Sequence, residues 1–181
     1  MLGFASNVVI TKAEKRLGVT LDYTRQIART SFALLLRYGK IFDMIDPRKH
    51  TTPEAYATAR LRGALAADCG TCVRAEINLA RSGGLSDQLI GDILLGDIEV
   101  LPSNLQPVRR LADAVCRDRT DNPAAREDIL NIYGHAALIE LSYAMNGAAM
   151  LPGIKRAMGY ATACDATVFQ ELKFKQEYSN A

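Results

Sequence analysis

Helix starts and stops punctuate this chain so regularly that they leave little room for any other element. The stretch "TTPEAYATARLRGALAA" opens with Thr51 and Glu54 in capping-box spacing and Pro53 near the first turn, where a missing N–H does no harm. "DCGTCVRAEINLARSGG" runs from Asp68, the expected N-cap, to Gly83, expected just past the helix end. Ser86 is placed to cap "DQLIGDILLGD", in which Leu89, Ile90, Ile93 and Leu94 recur at helical spacing. Asn122-Pro123 starts "PAAREDILNIYG", and Gly134 ends it. Upstream, "LDYTRQIARTSFALLLRYG" reads as one helix ending at Gly39, with Ile27, Leu34, Leu35 and Tyr38 on a broad apolar face. No segment alternates apolar and polar residues long enough to argue a strand. An all-α, multi-helix fold is expected, with the Pro-containing passage "LGDIEVLPSNLQPVRR" as a loop between helices.

A chain of 181 residues is long enough to bury a substantial core as one domain. Within it, residues 1–49 read as a helical extension and 50–181 as the main helical core. The net charge of +2 is too balanced, and the basic residues too scattered, to imply nucleic acid or an acidic membrane surface as partner. "MLGFASNVVITKAEK" has no cationic run ahead of its apolar residues, so it does not read as a signal peptide. No apolar run approaches the roughly 20 residues that span a bilayer. A cytoplasmic protein with reduced thiols is expected. "HAALIELSYAMNGAAM" is apolar on more than one side, which predicts burial between subunits of a homo-oligomer.

The compact chemical signature is the Cys69-x-x-Cys72 pair, with Glu76 one turn further on. With Asp68 as N-cap, Cys69 falls in the first turn, where free N–H groups and the helix dipole favour a thiolate. Cys72, one turn along, is close enough to form a disulfide with it. Such a pair is the minimum apparatus for thiol–disulfide exchange or peroxide reduction. Two other readings stand beside it: small residues that help the helix pack, and half of a metal site, although a structural zinc wants four ligands. Cys116 and Cys164 read as core residues.

Taken together, an alanine-rich helix, a short Asp-Cys junction, Cys-x-x-Cys opening the next helix and the "ARSGGLSDQLI" turn resemble the carboxymuconolactone decarboxylase superfamily. The alkylhydroperoxidase D-like branch is the nearer likeness, best across Glu54 to Leu94. A weaker echo is "REDILNIYGHAALIELSYAMN". The resemblance implies an all-helical domain assembling as trimers or hexamers, with no metal or organic cofactor. It implies that Cys72 attacks peroxide and Cys69 resolves it as a disulfide, which a dithiol reductant protein or a small thiol then reduces. The local helix-start argument, by contrast, gives Cys69 the lower pKa.

The branch's motif also carries a His four residues after the second Cys and a Glu twelve residues before the first. Here those positions hold Glu76 and Ala57. Moving a thiol proton to an ordinary His costs about 2.7 kcal/mol, and to an ordinary Glu about 5.7 kcal/mol. A base must therefore come from Glu76 with an altered environment, from Glu54 on the preceding helix, or from His135. The expected function is a thiol-dependent peroxidase or disulfide oxidoreductase acting on a peroxide or disulfide. The rival readings are a non-catalytic oligomeric scaffold of the same superfamily and, further off, a lactone decarboxylase.

Overall fold

A computed structural model of the chain describes residues 2–45, 48–160 and 170, with side chains from Asn7 onward. Among the described residues every regular element is helical, so the all-α expectation is correct. Three helices come first: α1 (Leu2–Leu17), α2 (Asp22–Thr30) and α3 (Phe32–Ile45). Then follow α4 (Pro53–Ala66), α5 (Gly70–Ser82), α6 (Asp87–Leu94) and a short 3₁₀ turn at Ile98–Val100. Helix α7 (Gln106–Ala112) runs on into a π-helical turn, Asp113–Asp118, and α8 (Pro123–Ala157) follows.

The architecture is organised around α4. Every residue from Ala57 to Ala64 is buried, because α5, α6, α7 and α8 pack around it. Alanine and glycine make this possible by letting backbones approach. A Cβ added at Gly63 would collide with the Met145 carbonyl on α8. Burying a helix on all sides also buries its two arginines, which must then be fully partnered. Arg62 Nε donates to Asp113 Oδ1 at 2.6 Å, and its Nη1 donates to the Ile93 and Leu94 carbonyls at the end of α6. Arg60 is held by Glu76 on α5.

Several local expectations need correction. The N-cap of α4 is Thr52, whose hydroxyl accepts the Ala55 N–H at 3.2 Å. Thr51 is released to donate to buried Glu140 on α8 at 2.9 Å, and the backbone N–H groups of Lys49 and His50 point to the same carboxylate. The upstream helix is two helices, because Ser31 is extended (φ −162°, ψ 122°), and Gly39 lies inside α3 rather than ending it. The left-handed residue after α5 is Gly84 (φ +93°), one past Gly83. The passage read as a loop before Arg110 contains the start of α7. Gly134 does break the helical path, with φ 82° and ψ 175°, although α8 resumes at once beyond it. Cys116 is buried in the π-helical turn as expected, and Cys164 lies outside the described residues.

Candidate functional site

The thiol pair sits where α4 hands the chain to α5. After α4 the chain must reverse within three residues, and Asp68 adopts a left-handed conformation (φ 49°) to do so. Cys69, not Asp68, is therefore the N-cap of α5, with extended backbone (φ −134°, ψ 99°). Its carbonyl accepts the N–H groups of Cys72 and Val73, both at 2.9 Å. Arg156, near the end of α8, fixes this turn from outside by donating to the carbonyls of Ala67 and Asp68, each at 2.8 Å.

This geometry puts Cys69 Sγ 2.6 Å from Cys72 Sγ. At that separation the two sulfurs are in direct contact, and they titrate as a unit. The Cys69 thiol is pulled down to about 6, chiefly by the hydrogen bond from Cys72. Burial opposes that shift, while the Cys72 backbone dipole, Lys155 and Arg156 assist it. Cys72 is pushed up, first by that same hydrogen bond, then by burial and by the negative charge on Cys69. The negative charge of the pair is thus drawn to the N-cap sulfur, the cysteine that the helix-start argument favours, but through the Cys72 hydrogen bond rather than a place in the first turn. Exposure runs the other way. Cys69 is 0% exposed, whereas Cys72 is half-buried and faces a cavity.

The cavity has a volume of about 960 Å³ and lies between α1, α2 and α3 on one side and α5 and α8 on the other. Ile10, Leu17, Leu35, Phe42, Leu79 and Leu151 contribute to its apolar walls. Near Cys72 the lining turns polar. Tyr23 and Tyr38 share a hydroxyl–hydroxyl hydrogen bond of 2.6 Å, and Lys155 Nζ lies 5.8 Å from the centre of the Tyr23 ring. Burial pushes the Tyr38 phenol well above its ordinary value, so both hydroxyls stay protonated.

The three candidate bases fare differently. Glu76 is buried and doubly bonded to Arg60, Nε to Oε2 at 2.7 Å and Nη2 to Oε1 at 2.8 Å. It lines the cavity beside Cys72, but its oxygens are committed to the guanidinium. Glu54 lies in the first turn of α4, roughly 18 Å along the helix from the end that adjoins the thiols. His135 is exposed and twenty positions before Lys155 on α8, on the order of 30 Å away along the axis. Neither approaches the pair. Ala57 is buried inside α4.

Sequence reasoning missed Arg60, Lys155 and Arg156. The signal for Arg60 was present: two arginines inside an alanine-rich helix must meet acids if that helix is buried. Lys155 and Arg156 lie in the last turn of α8, and nothing near them in sequence points to the thiols. Among the described residues no group of three or more His, Cys, Asp or Glu is placed to hold a metal ion, and no helix is long and apolar enough to cross a membrane.

What fold and site define is an all-helical protein with a closely apposed Cys-x-x-Cys pair at a helix N-terminus, open on one side to a cavity. Comparison with protein-family models, with curated proteins and with solved structures finds no match to this chain. The family likeness rests on the sequence features alone.

Proposed function

We propose that this protein is a thiol-dependent reductase of a peroxide or disulfide, of the alkylhydroperoxidase D-like type. The observation that carries this reading is the 2.6 Å approach of Cys69 and Cys72 with only Cys72 turned to the cavity. In this reading the pair provides its own base. The Cys69 thiolate takes the Cys72 proton along the shared hydrogen bond as Cys72 Sγ attacks the terminal oxygen of a peroxide R–O–O–H. The S–O bond forms, the O–O bond breaks, and the alkoxide leaves and is protonated by water. Cys69 Sγ then attacks Cys72 Sγ. The S–S bond forms, the S–O bond breaks, and hydroxide departs with the Cys69 proton as water. The two thiols supply the two electrons, and a dithiol protein or small thiol restores them.

The Cys69 thiolate, drawn below the ordinary thiol value by Cys72, takes in this reading the role that the family motif gives to a histidine at the Glu76 position. A homo-oligomer accords with Ile139, Tyr143 and Met150, which are exposed on one side of α8 at helical spacing. A reducing compartment such as the cytoplasm accords with a pair that works as dithiol.

A second reading is a non-catalytic scaffold, favoured by the engagement of Glu76 with Arg60 in place of any relay. Thiol titration before and after cumene hydroperoxide, followed by disulfide mapping, separates the two. Rapid loss of two thiols with a Cys69–Cys72 link is the result expected of the reductase. Slow, scattered modification would leave the scaffold.

A further inference from the structure

The cavity beside the thiols is lined by a buried cation, Lys155, whose charge also favours the Cys69 thiolate. Lys155 is 6% exposed, and among the described residues no carboxylate pairs with its ammonium. A buried cation with no carboxylate partner is costly, and an anion that reaches it through the cavity would offset that cost. A second observation points the same way. Thr24 is 7% exposed, lines the same cavity, and its hydroxyl has no hydrogen-bond partner. Both groups sit at the polar end, near the Tyr23–Tyr38 hydroxyls.

The remainder of the cavity is of ligand size, since about 960 Å³ lies at the upper end of the range for small-molecule sites, and its walls are largely aliphatic and aromatic. Exposed Lys12, Arg16 and Lys40 also line it, against the single exposed carboxylate of Asp43. Arg60 and Glu76 neutralise each other. With that pair set aside, four cations face one carboxylate and the charge of the thiol pair. Apolar walls, a cationic rim and one deep ammonium with no carboxylate partner among the described residues describe the complement of an amphiphile.

We infer that the cavity between α1–α3 on one side and α5 and α8 on the other is a binding site for a long-chain carboxylate, its apolar chain along the aliphatic walls and its carboxylate on Lys155 and Thr24. Peroxide chemistry is not required for this, because binding is read on the reduced protein without turnover.

Calorimetry on the full reduced chain tests it, with dodecanoate as the probe and 1-dodecanol and acetate as controls. Dodecanoate is expected to bind about tenfold or more tightly than dodecanol, and acetate not to compete with it. Lys155→Met is expected to weaken dodecanoate by about tenfold or more while changing dodecanol little, and Lys155→Arg to retain dodecanoate. Ala75→Phe, which adds bulk to the cavity wall, should weaken both. Equal binding of acid and alcohol in the wild type overturns the inference, and needs no variant to fold. So does unchanged dodecanoate affinity in Lys155→Met, or an absence of binding with light scattering showing a second copy of the chain seated over the cavity.

Discussion

The helices α1–α3 and the helix α4 solve the burial problem in opposite ways. Helix α4 is buried on every side, carries two arginines into the interior and satisfies both with carboxylates and carbonyls. The contiguous core of buried apolar residues is drawn entirely from α4 to α8 and their connections. The first three helices bury only a few side chains, among them Ile10, Tyr23, Tyr38 and Ile45, and leave Val8, Val9, Phe32, Leu34 and Leu36 exposed. A dense body thus holds the thiols in place, while a lighter cover leaves the space beside them. Precision and room for a ligand come from different parts of one chain.

The largest effect that sharpens this contrast is expected at Glu76. Glu76→Gln leaves Arg60 buried without its carboxylate and should cost about 3–5 kcal/mol, measured by urea unfolding. Glu76→His should destabilise comparably and give no gain in peroxide turnover, because it unpairs Arg60 as it installs an imidazole. A clear gain in turnover would show that Glu76 is a dispensable partner. Next comes Gly63→Ala, whose methyl group meets the Met145 carbonyl and forces α4 and α8 apart, at about 1–3 kcal/mol.

In the cover the effects are smaller. Tyr38→Phe removes the hydroxyl bonded to Tyr23 and should cost about 1 kcal/mol. A loss as large as that of Gly63→Ala would mean that the cover is as tightly built as the core. Smallest at neutral pH is the acid sensitivity of the segment leading into α4. Burial would raise the Glu140 carboxyl, but hydrogen bonds from Lys49, His50 and Thr51 outweigh it and hold it below the ordinary 4.5. Its stabilisation is present above that value and is lost as pH falls through the lower folded one. Unfolding midpoints followed from pH 6 to pH 3 should fall less steeply in Glu140→Gln than in the wild type.

Much of the fold was legible because caps and periodicity are local. Ser86 and Asn122 cap as their positions suggest, and Gly134 breaks the path where it stands. Thr51 was misread because two adjacent threonines offer the same hydroxyl, and only the distant Glu140 decides which one turns inward. Asp68 was misread because the reversal after α4 requires a left-handed residue, a demand that no spacing rule expresses. The thiol pair was legible as chemistry, but its environment was not. Arg60 and Glu76 are sixteen positions apart, and Lys155 is more than eighty from Cys72. Their meeting depends on how α4, α5 and α8 pack.

The central claim is that the two sulfurs titrate as a unit and that the negative charge rests on the buried one while the other faces the cavity. The direct test is the rate of alkylation by iodoacetamide between pH 5 and pH 10, with the labelled cysteine identified by mass spectrometry, in the wild type and in Cys69→Ser. The account predicts that Cys72 is labelled first, with an inflection near pH 6, the value to which the first ionisation of the pair is drawn. It predicts that Cys69→Ser moves that inflection up towards the ordinary thiol value of 9.0. Labelling of Cys69 ahead of Cys72, or an inflection near 9.0 in both proteins, would contradict it.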